Sequence, residues 1–163
     1  MTARTTVLGV GNPIMGDDGV GLAVLEALRV ARDAFPGDGA RLEYVDGGTG
    51  GMALLPLVQE SPRLLVLDAV AGPIPGTVVH LRGDQVPRML SSKLSPHQVG
   101  LLDVFAAARL LGQEPETVEV IGVVPESVDL RLGLSPTVAA AVPDAVSRAR
   151  RILDRWLSIP AEA

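Results

Sequence analysis

The sequence predicts an α/β fold, a three-layer sandwich with helices on both faces of a mostly parallel, twisted sheet. The sheet should have about five strands, one of them antiparallel. Short apolar runs alternate along the chain with longer segments of helical periodicity, which is the pattern of parallel α/β proteins. The first run is unbroken by polar residues from Val7 to Val10, as expected of a strand buried on both faces. Because the 163 residues are 47% hydrophobic and contain no linker, we expect one α/β domain over residues 1–163.

The first half of the chain supplies three strands and two helices. The strands are the apolar runs at residues 5–10, 42–46 and 64–67. The first helix covers residues 17–32, where apolar residues recur at helical spacing. A short helix follows the glycines after the second strand, with Thr49 in a position to cap it.

The second half begins with a strand of opposite direction. The connection that leaves the third strand is too short for a parallel crossover, so residues 77–82 are predicted to pair antiparallel with a neighbour. A helix then opens at Pro96, where Ser95 and Gln98 form a capping box. Its buried stripe and its C-terminal cap are predicted at Leu101, Val104, Phe105, Ala108, Leu111 and Gly112.

The chain ends in a strand and a long helix. Residues 117–124 form the fifth predicted strand, and the last helix runs from Pro136 to about Leu157. Pro143 lies inside this helix and predicts a break or kink. The arginines near its end are interpreted as a solvated face, and they are Arg148, Arg150, Arg151 and Arg155.

Composition argues against several classes of function. A net charge of −5 and scattered cationic residues argue against a nucleic-acid partner. The chain has no cysteine, which rules out disulfides, cysteine nucleophiles and thiolate metal sites. No apolar run approaches the roughly 18 residues needed to span a bilayer, and no signal segment is recognised. We therefore expect a cytoplasmic protein with neither a nucleic-acid nor a membrane partner.

The glycine-rich turn after the first strand does not fit a phosphate site. Dinucleotide-binding turns need a G-x-G-x-x-G spacing, and here Gly9 and Gly11 are followed by Ile14 at the third place. Pro13 removes a backbone donor, and two acidic residues at the mouth of the next helix would repel an anion. The turn suits a metal cation or a protonatable group instead.

Those two acidic residues are Asp17 and Asp18, and two interpretations stay open for the first of them. Asp17 is explained either as an N-terminal cap that the helix dipole favours or as a residue that faces a ligand. A second aspartate is harder to explain by capping alone. Its neighbours Gly16 and Gly19 should leave the carboxylates uncrowded.

Acidic residues follow each of the first three strands, as Asp18, Asp46 and Asp68. Ligands of such sheets bind beyond the carboxyl ends of the strands, so these residues should share one edge. His97 lies in a first helical turn, where the dipole favours the neutral imidazole that ligates metals; a surface histidine is the alternative. His80 is interpreted as an ordinary strand residue. Asp18, Asp68 and His97 together suit a borderline divalent metal with open coordination positions.

Several ordered motifs of the chain resemble those of one protein family. They are Gly9-x-Gly11-Asn12 with Asp17-Asp18, Asp46-Gly47-Gly48-Thr49-x-Gly51, Asp68-Ala69, Ser95-Pro96-His97-Gln98-x-Gly100, Gly122-Val123-Val124-Pro125-Glu126, and Gly133-Leu134-Ser135-Pro136-Thr137-Val138. From Val7 to about Arg150 the chain is similar to hydrogenase maturation proteases, the endopeptidases that trim the large subunit of nickel–iron hydrogenases.

The resemblance implies an enzyme that removes a C-terminal extension from the large-subunit precursor after nickel has been inserted. The metal-contacting residues of the family fall on Asp18, Asp68 and His97, which are therefore also the catalytic candidates of an aspartic-type endopeptidase. Some relatives carry Glu where this chain has Asp18, whose carboxylate reaches one methylene less far. Nickel should arrive bound to the precursor, and the oligomeric state that we favour is a monomer.

The same resemblance predicts where the substrate binds. Asp46, Gly47, Gly48 and Thr49 are expected to contact the precursor. The glycine-rich run that continues to Gly51 is interpreted either as an opening for the extended tail or as a plain flexible loop.

Two other classes of function compete with this interpretation. A receiver-type phosphorylation domain also has an acid pair after the first strand and an aspartate after the third. It needs a lysine after a late strand, whereas Lys93 precedes a helix. The second rival is a non-catalytic nickel-binding or chaperone module that uses the same three ligands.

Overall fold

Five strands form one mixed sheet in the part of the chain that the computed structural model describes. That part is residues 3–33, 41–83, 85–86 and 96–158, with the backbone alone over residues 32–33 and 96–100. The strands are β1 (Thr5–Val10), β2 (Leu42–Gly48), β3 (Arg63–Ala69), β4 (Val78–Arg82) and β5 (Thr117–Val123). Their order is β2-β1-β3-β5-β4, and only β4 is antiparallel to its neighbour. The predicted fold class and the antiparallel strand are confirmed.

Helices cover both faces of this sheet. They are α1 (Val20–Asp33), α2 (Leu55–Gln59), α3 (Pro96–Leu110) and α4 (Pro136–Ser158). Helix α1 packs against α4 on one face, and α3 packs against α2 on the other. No helix in the described ranges is long and apolar enough to cross a bilayer.

The core is divided in two by the sheet. Alternate residues of the central strands point to opposite faces, so that Leu65 and Leu67 pack under α1 and α4 while Leu64 and Val66 pack under α3. Every residue of β1 is buried. The unbroken apolar runs of the sequence are explained by this double burial.

Some local predictions are wrong at the ends of helices. The segment predicted as one helix from residue 17 begins as a 3-10 helix (Gly16–Gly19), and α-helical structure starts at Val20. Thr49 caps nothing, because Gly50 precedes the 3-10 helix that leads into α2 and no side chain bonds there. Leu111, predicted to lie in the buried stripe, is exposed and lies beyond α3, which ends at Leu110.

Other local predictions have different outcomes. Gly112 follows α3 with φ of +68°, as its capping role requires. A break at Pro143 is wrong, because helix α4 continues through this residue, and a kink there stays a prediction. Ser95, the first member of the predicted capping box, and Lys93 lie outside the described residues.

The start of α1 is held against the sheet by a close approach at Gly21. A β-carbon at this position would lie 2.3 Å from the carbonyl oxygen of Leu67 in β3 and 2.5 Å from that of Val10 in β1. Only glycine allows this approach. The helix that follows Asp17 and Asp18 therefore begins directly beside the ends of the two central strands.

A buried carboxylate with partners on two other elements joins β4, β5 and α4. The carboxylate of Glu119, which is buried, lies 2.5 Å from Nε2 of His80 and also accepts a bond from Arg155. His80 is a strand residue, as predicted. Arg155 is not simply part of a solvated face, because its guanidinium binds Glu119.

Replacement of Glu119 by Gln should lower the free energy of unfolding by about 1–2 kcal/mol, because the buried carboxylate that binds Arg155 and His80 becomes a neutral amide with a single acceptor oxygen. The matched control is Glu26→Gln, which breaks an exposed pair with Arg29 and should cost less than about 0.5 kcal/mol. Urea denaturation of both variants measures the difference. Equal losses would contradict the structural role of Glu119.

Candidate active site

The turn between β1 and α1 is folded so tightly that two glycines are required. Gly11 has φ of +141°, and a β-carbon there would lie 2.1 Å from the carbonyl oxygen of Asp18. A β-carbon on Gly19 would lie 2.8 Å from Cα of Pro13. The glycines that resemble a phosphate-binding motif thus serve to fold the backbone around Asp18.

Asp17 is a structural anchor, and the prediction that it caps the following helix is wrong. Its buried carboxylate accepts backbone hydrogen bonds from Glu126 (2.9 Å), Ser127 (3.1 Å) and Ser135 (2.7 Å), and a fourth from Oγ of Ser135 (2.8 Å). It caps no helix. These bonds join the turn after β1 to the segment that leads from β5 into α4.

The hydrogen bonds also fix the charge of Asp17. Burial by itself raises the pKa of this carboxyl, but the bonds from Ser135, Ser127 and Glu126 outweigh it and hold the pKa below its usual value of 3.8. Asp17 is therefore ionised at neutral pH.

Asp18 and Asp68 are buried carboxylates at the ends of the two central strands. Asp18 has only 7% of its surface exposed, and its Oδ2 accepts a hydrogen bond from the backbone N–H of Asn12 (3.0 Å). Asp68 has 1% exposed, and its Oδ1 accepts one from the N–H of Ala69 (2.7 Å). Most aspartates lie at the surface, so two buried ones at one sheet edge suggest a function.

The sheet brings these two aspartates to the same edge. Strands β1 and β3 are parallel neighbours with Gly9 opposite Leu67, so Asp68 follows directly on the paired segment. The 3-10 helix that carries Asp18 contacts β3. The predicted placement of Asp18 and Asp68 at the carboxyl ends of adjacent strands is confirmed.

His97 is the second residue of α3, and its side chain lies outside the described part of the chain. The backbone nevertheless gives the position of this helix end. Gln113, just beyond the other end, bonds Gln59, which precedes β3, so α3 runs back along the sheet. A helix of 15 residues spans about 22 Å, which is the length of a seven-residue strand. The start of α3 therefore lies towards the carboxyl edge.

The described side chains alone do not form a three-residue metal site. Within them, no three His, Cys, Asp or Glu residues cluster closely enough to hold a metal ion. A three-residue metal site at this edge therefore requires a ligand outside the described side chains, and His97 is the candidate.

The predicted substrate loop lies at the end of β2, which is an edge strand. Gly9 pairs with Asp46 and Val10 with Gly48, so Gly47 forms a β-bulge. Asp46 and Thr49 are exposed, and Oδ1 of Asp46 accepts a bond from the N–H of Gly48 (2.9 Å). Contact of these residues with a substrate stays a prediction.

Sequence reasoning missed the partners of Asp17. Glu126, Ser127 and Ser135 lie more than a hundred residues away along the chain. The one available signal is the Ser-Pro pair at Ser135, which predicts a helix start and hence a polar contact there.

Comparison with known proteins identifies the family. The family model described as "HycI: Hydrogenase maturation protease" matches residues 23–152. The chain is also 40% identical over 147 residues to the hydrogenase 2 maturation protease of Escherichia coli K12, covering 89% of this chain and 87% of that one.

The chain belongs to the hydrogenase maturation protease family. It is also 40% identical over 156 residues to the hydrogenase expression/formation protein HupD of Rhodobacter capsulatus, covering 94% of this chain and 72% of that one. Membership in this family means that the protein is a proteolytic enzyme. The receiver-domain and non-catalytic alternatives are therefore wrong.

Solved structures of hydrogenase maturation proteases have the same fold. The maturating endopeptidase HybD of E. coli superimposes with a TM-score of 0.84 at 37% identity, and 93% of each chain is covered. The HybD of Thermococcus kodakarensis gives a TM-score of 0.71 at 28% identity, over 91% of this chain and 98% of the other.

Proposed function

We propose that this protease removes the C-terminal extension of a nickel–iron hydrogenase large-subunit precursor once nickel has been inserted. Family membership supports the reaction and the class of substrate. The observation that carries the site is the pair of buried carboxylates, Asp18 and Asp68, at the ends of adjacent strands.

In this proposal, Asp18, Asp68 and His97 contact the nickel ion that the precursor carries. Two oxygen ligands and one nitrogen ligand suit a borderline divalent metal and leave positions for the ligands of the precursor itself. The metal is part of the substrate, so the enzyme recognises a finished hydrogenase site. An empty precursor lacks the ion that the three side chains would bind.

The same residues are proposed to carry out an aspartic-type cleavage. Water attacks the scissile carbonyl carbon, the carbon–nitrogen bond breaks, and the leaving amine takes up a proton. A carboxylate of the pair can accept the proton of the attacking water, and the metal can lower the pKa of that water. Both routes place the reacting bond beside Asp18 and Asp68.

The loop after β2 is proposed to hold the extended tail near the cut. A β-carbon on Gly51 would meet no atom within 4 Å, and one on Gly48 would meet only the carboxylate of Asp46, so the surface here is open. Asp46 and Thr49 supply polar groups beside it. We further propose a monomeric, cytoplasmic enzyme that binds neither nucleic acid nor membrane.

The test compares nickel-loaded and metal-free precursor, each incubated with the purified enzyme while the mass of the precursor is followed. The loaded precursor should lose its C-terminal extension, and the metal-free one should stay intact. Cleavage of both forms would contradict recognition through nickel. Stable binding of the loaded precursor without any cleavage would contradict the proposed proteolysis.

A further inference from the structure

Four exposed apolar residues lie on two hydrogen-bonded backbone segments beside the candidate active site. The described residues contain nine large apolar side chains that are exposed, and four of them are Ile14, Val128, Leu130 and Leu132. Leu130 and Leu132 have 77% and 80% of their surface exposed. Exposed apolar residues that occur singly need no explanation, whereas a group rimmed by polar residues marks an interaction surface. We call these four residues the apolar rim.

The four residues are brought together by the backbone. The N–H of Arg131 donates to the carbonyl of Ile14 (3.0 Å), and the N–H of Gly16 donates to the carbonyl of Arg131 (2.9 Å). This bridge joins the segment from residue 128 to 132 to the turn after β1. Ile14 therefore lies next to Leu130 and Leu132, which flank Arg131, and Val128 precedes them in the same segment.

The rim is also held rigidly, although it belongs to loops. The carboxylate of Asp17 binds the N–H groups of Glu126 and Ser127, and the N–H of Asp17 donates to the carbonyl of Ser127 (2.9 Å). Ser127 and Asp129 bond each other through their side chains (3.0 Å). A surface that is ordered before binding loses little conformational entropy when a partner docks.

The position of the apolar rim indicates which part of a substrate it would contact. Asp18 donates its N–H to the carbonyl of Met15, which adjoins Ile14, so the rim lies next to the proposed metal contact. The loop after β2, which is proposed to bind the tail and is called the tail-binding loop, lies on one side of β1 and β3. The apolar rim follows β5, which lies on the other side of these two strands. The metal contact therefore lies between the two surfaces.

We infer that the apolar rim is the docking surface for the folded body of the hydrogenase large-subunit precursor. The inference rests on the proposed function. The tail and the folded body of a precursor lie on opposite sides of the bond that is cut. When the nickel ion in the body contacts Asp18, the body therefore lies away from the tail-binding loop and against the apolar rim. Its contact surface must be apolar, because the rim offers four aliphatic side chains.

The test compares two double variants that each replace two exposed leucines. Leu130→Asp with Leu132→Asp alters the rim. The control is Leu110→Asp with Leu111→Asp at the far end of α3, where Leu110 is 88% exposed. Both should unfold at the same temperature as the wild type. The rim variant should raise KM for nickel-loaded precursor by about tenfold or more with kcat unchanged, as the loss of interface anchors does. The control should change neither.

Equal KM values for the two double variants would overturn the inference while leaving the proposed function intact. If the wild-type enzyme does not cleave the precursor, the proposed function fails. The inference about the apolar rim is then tested by the dissociation constants for binding of the precursor. Equal dissociation constants for the two double variants, or no binding of the precursor by the wild type, overturn the inference. A wild-type dimer that the rim variant dissociates would assign the rim to a second copy and also overturn it.

Discussion

Replacement of Asp18 by Asn, of Asp68 by Asn, or of His97 by Ala should each reduce cleavage of the nickel-loaded precursor by at least about 10³-fold. Each variant removes a proposed metal contact, and the first two also remove a carboxylate that could accept a proton. Asparagine has the shape of aspartate, and its amide oxygen can still accept the bonds from Asn12 and Ala69. The fold should therefore survive.

Precursor mass after incubation measures the loss, and circular dichroism checks the fold. Asp103→Asn is the matched control, because Asp103 is an exposed residue of α3, and it should leave cleavage unchanged. Normal trimming by two or more of the three variants would refute the site. A fall in cleavage that merely followed unfolding would leave Asp18 and Asp68 with structural roles.

Replacement of Asp17 by Ala should lower the free energy of unfolding by about 3 kcal/mol or more. Three backbone N–H groups and one hydroxyl lose their charged acceptor, and buried donors without partners cost about 1–3 kcal/mol each, partly offset by water. Ser135→Ala removes only the hydroxyl, which donates to Asp17 and accepts a long bond of 3.4 Å from the N–H of Val138, and it should cost only about 1 kcal/mol. Urea denaturation measures both, and similar losses would contradict the anchoring role of Asp17.

The stabilisation that Asp17 provides should also depend on pH, in a direction that the pKa of its carboxyl determines. The pKa of Asp17 is lower in the folded chain than the usual 3.8, so the folded state favours the ionised carboxylate. Its stabilisation is therefore complete above about pH 3.8 and disappears as the pH falls through the lower folded value. The stability difference between the wild type and Asp17→Asn should be constant near neutral pH and shrink in acid.

The sheet could be predicted because its signals are local. Apolar runs mark the strands, and the short connection after β3 forces β4 to run antiparallel to β5. Helix ends were predicted less well, because they depend on tertiary contacts. The close approach at Gly21, which sets where α1 begins, involves Leu67 and could not be seen from neighbouring residues.

The candidate site was predictable in part for a related reason. Asp18 and Asp68 follow predicted strands, and parallel strands bring their ends to one edge. Asp17 was not predictable, because its donors at Ser127 and Ser135 are joined to it only by the fold. Two adjacent aspartates of one sequence pattern thus have different roles, one as an anchor and one as a candidate ligand.

The bonds of Asp17 have a consequence for the order of events during synthesis. A nascent chain that has emerged only as far as Val123 contains every strand of the sheet but none of the four donors to this carboxylate. Glu126 and Ser127 emerge first, and the two bonds from Ser135 can form only after that residue has also left the ribosome. The candidate site is therefore completed only after the last strand of the sheet has been synthesised.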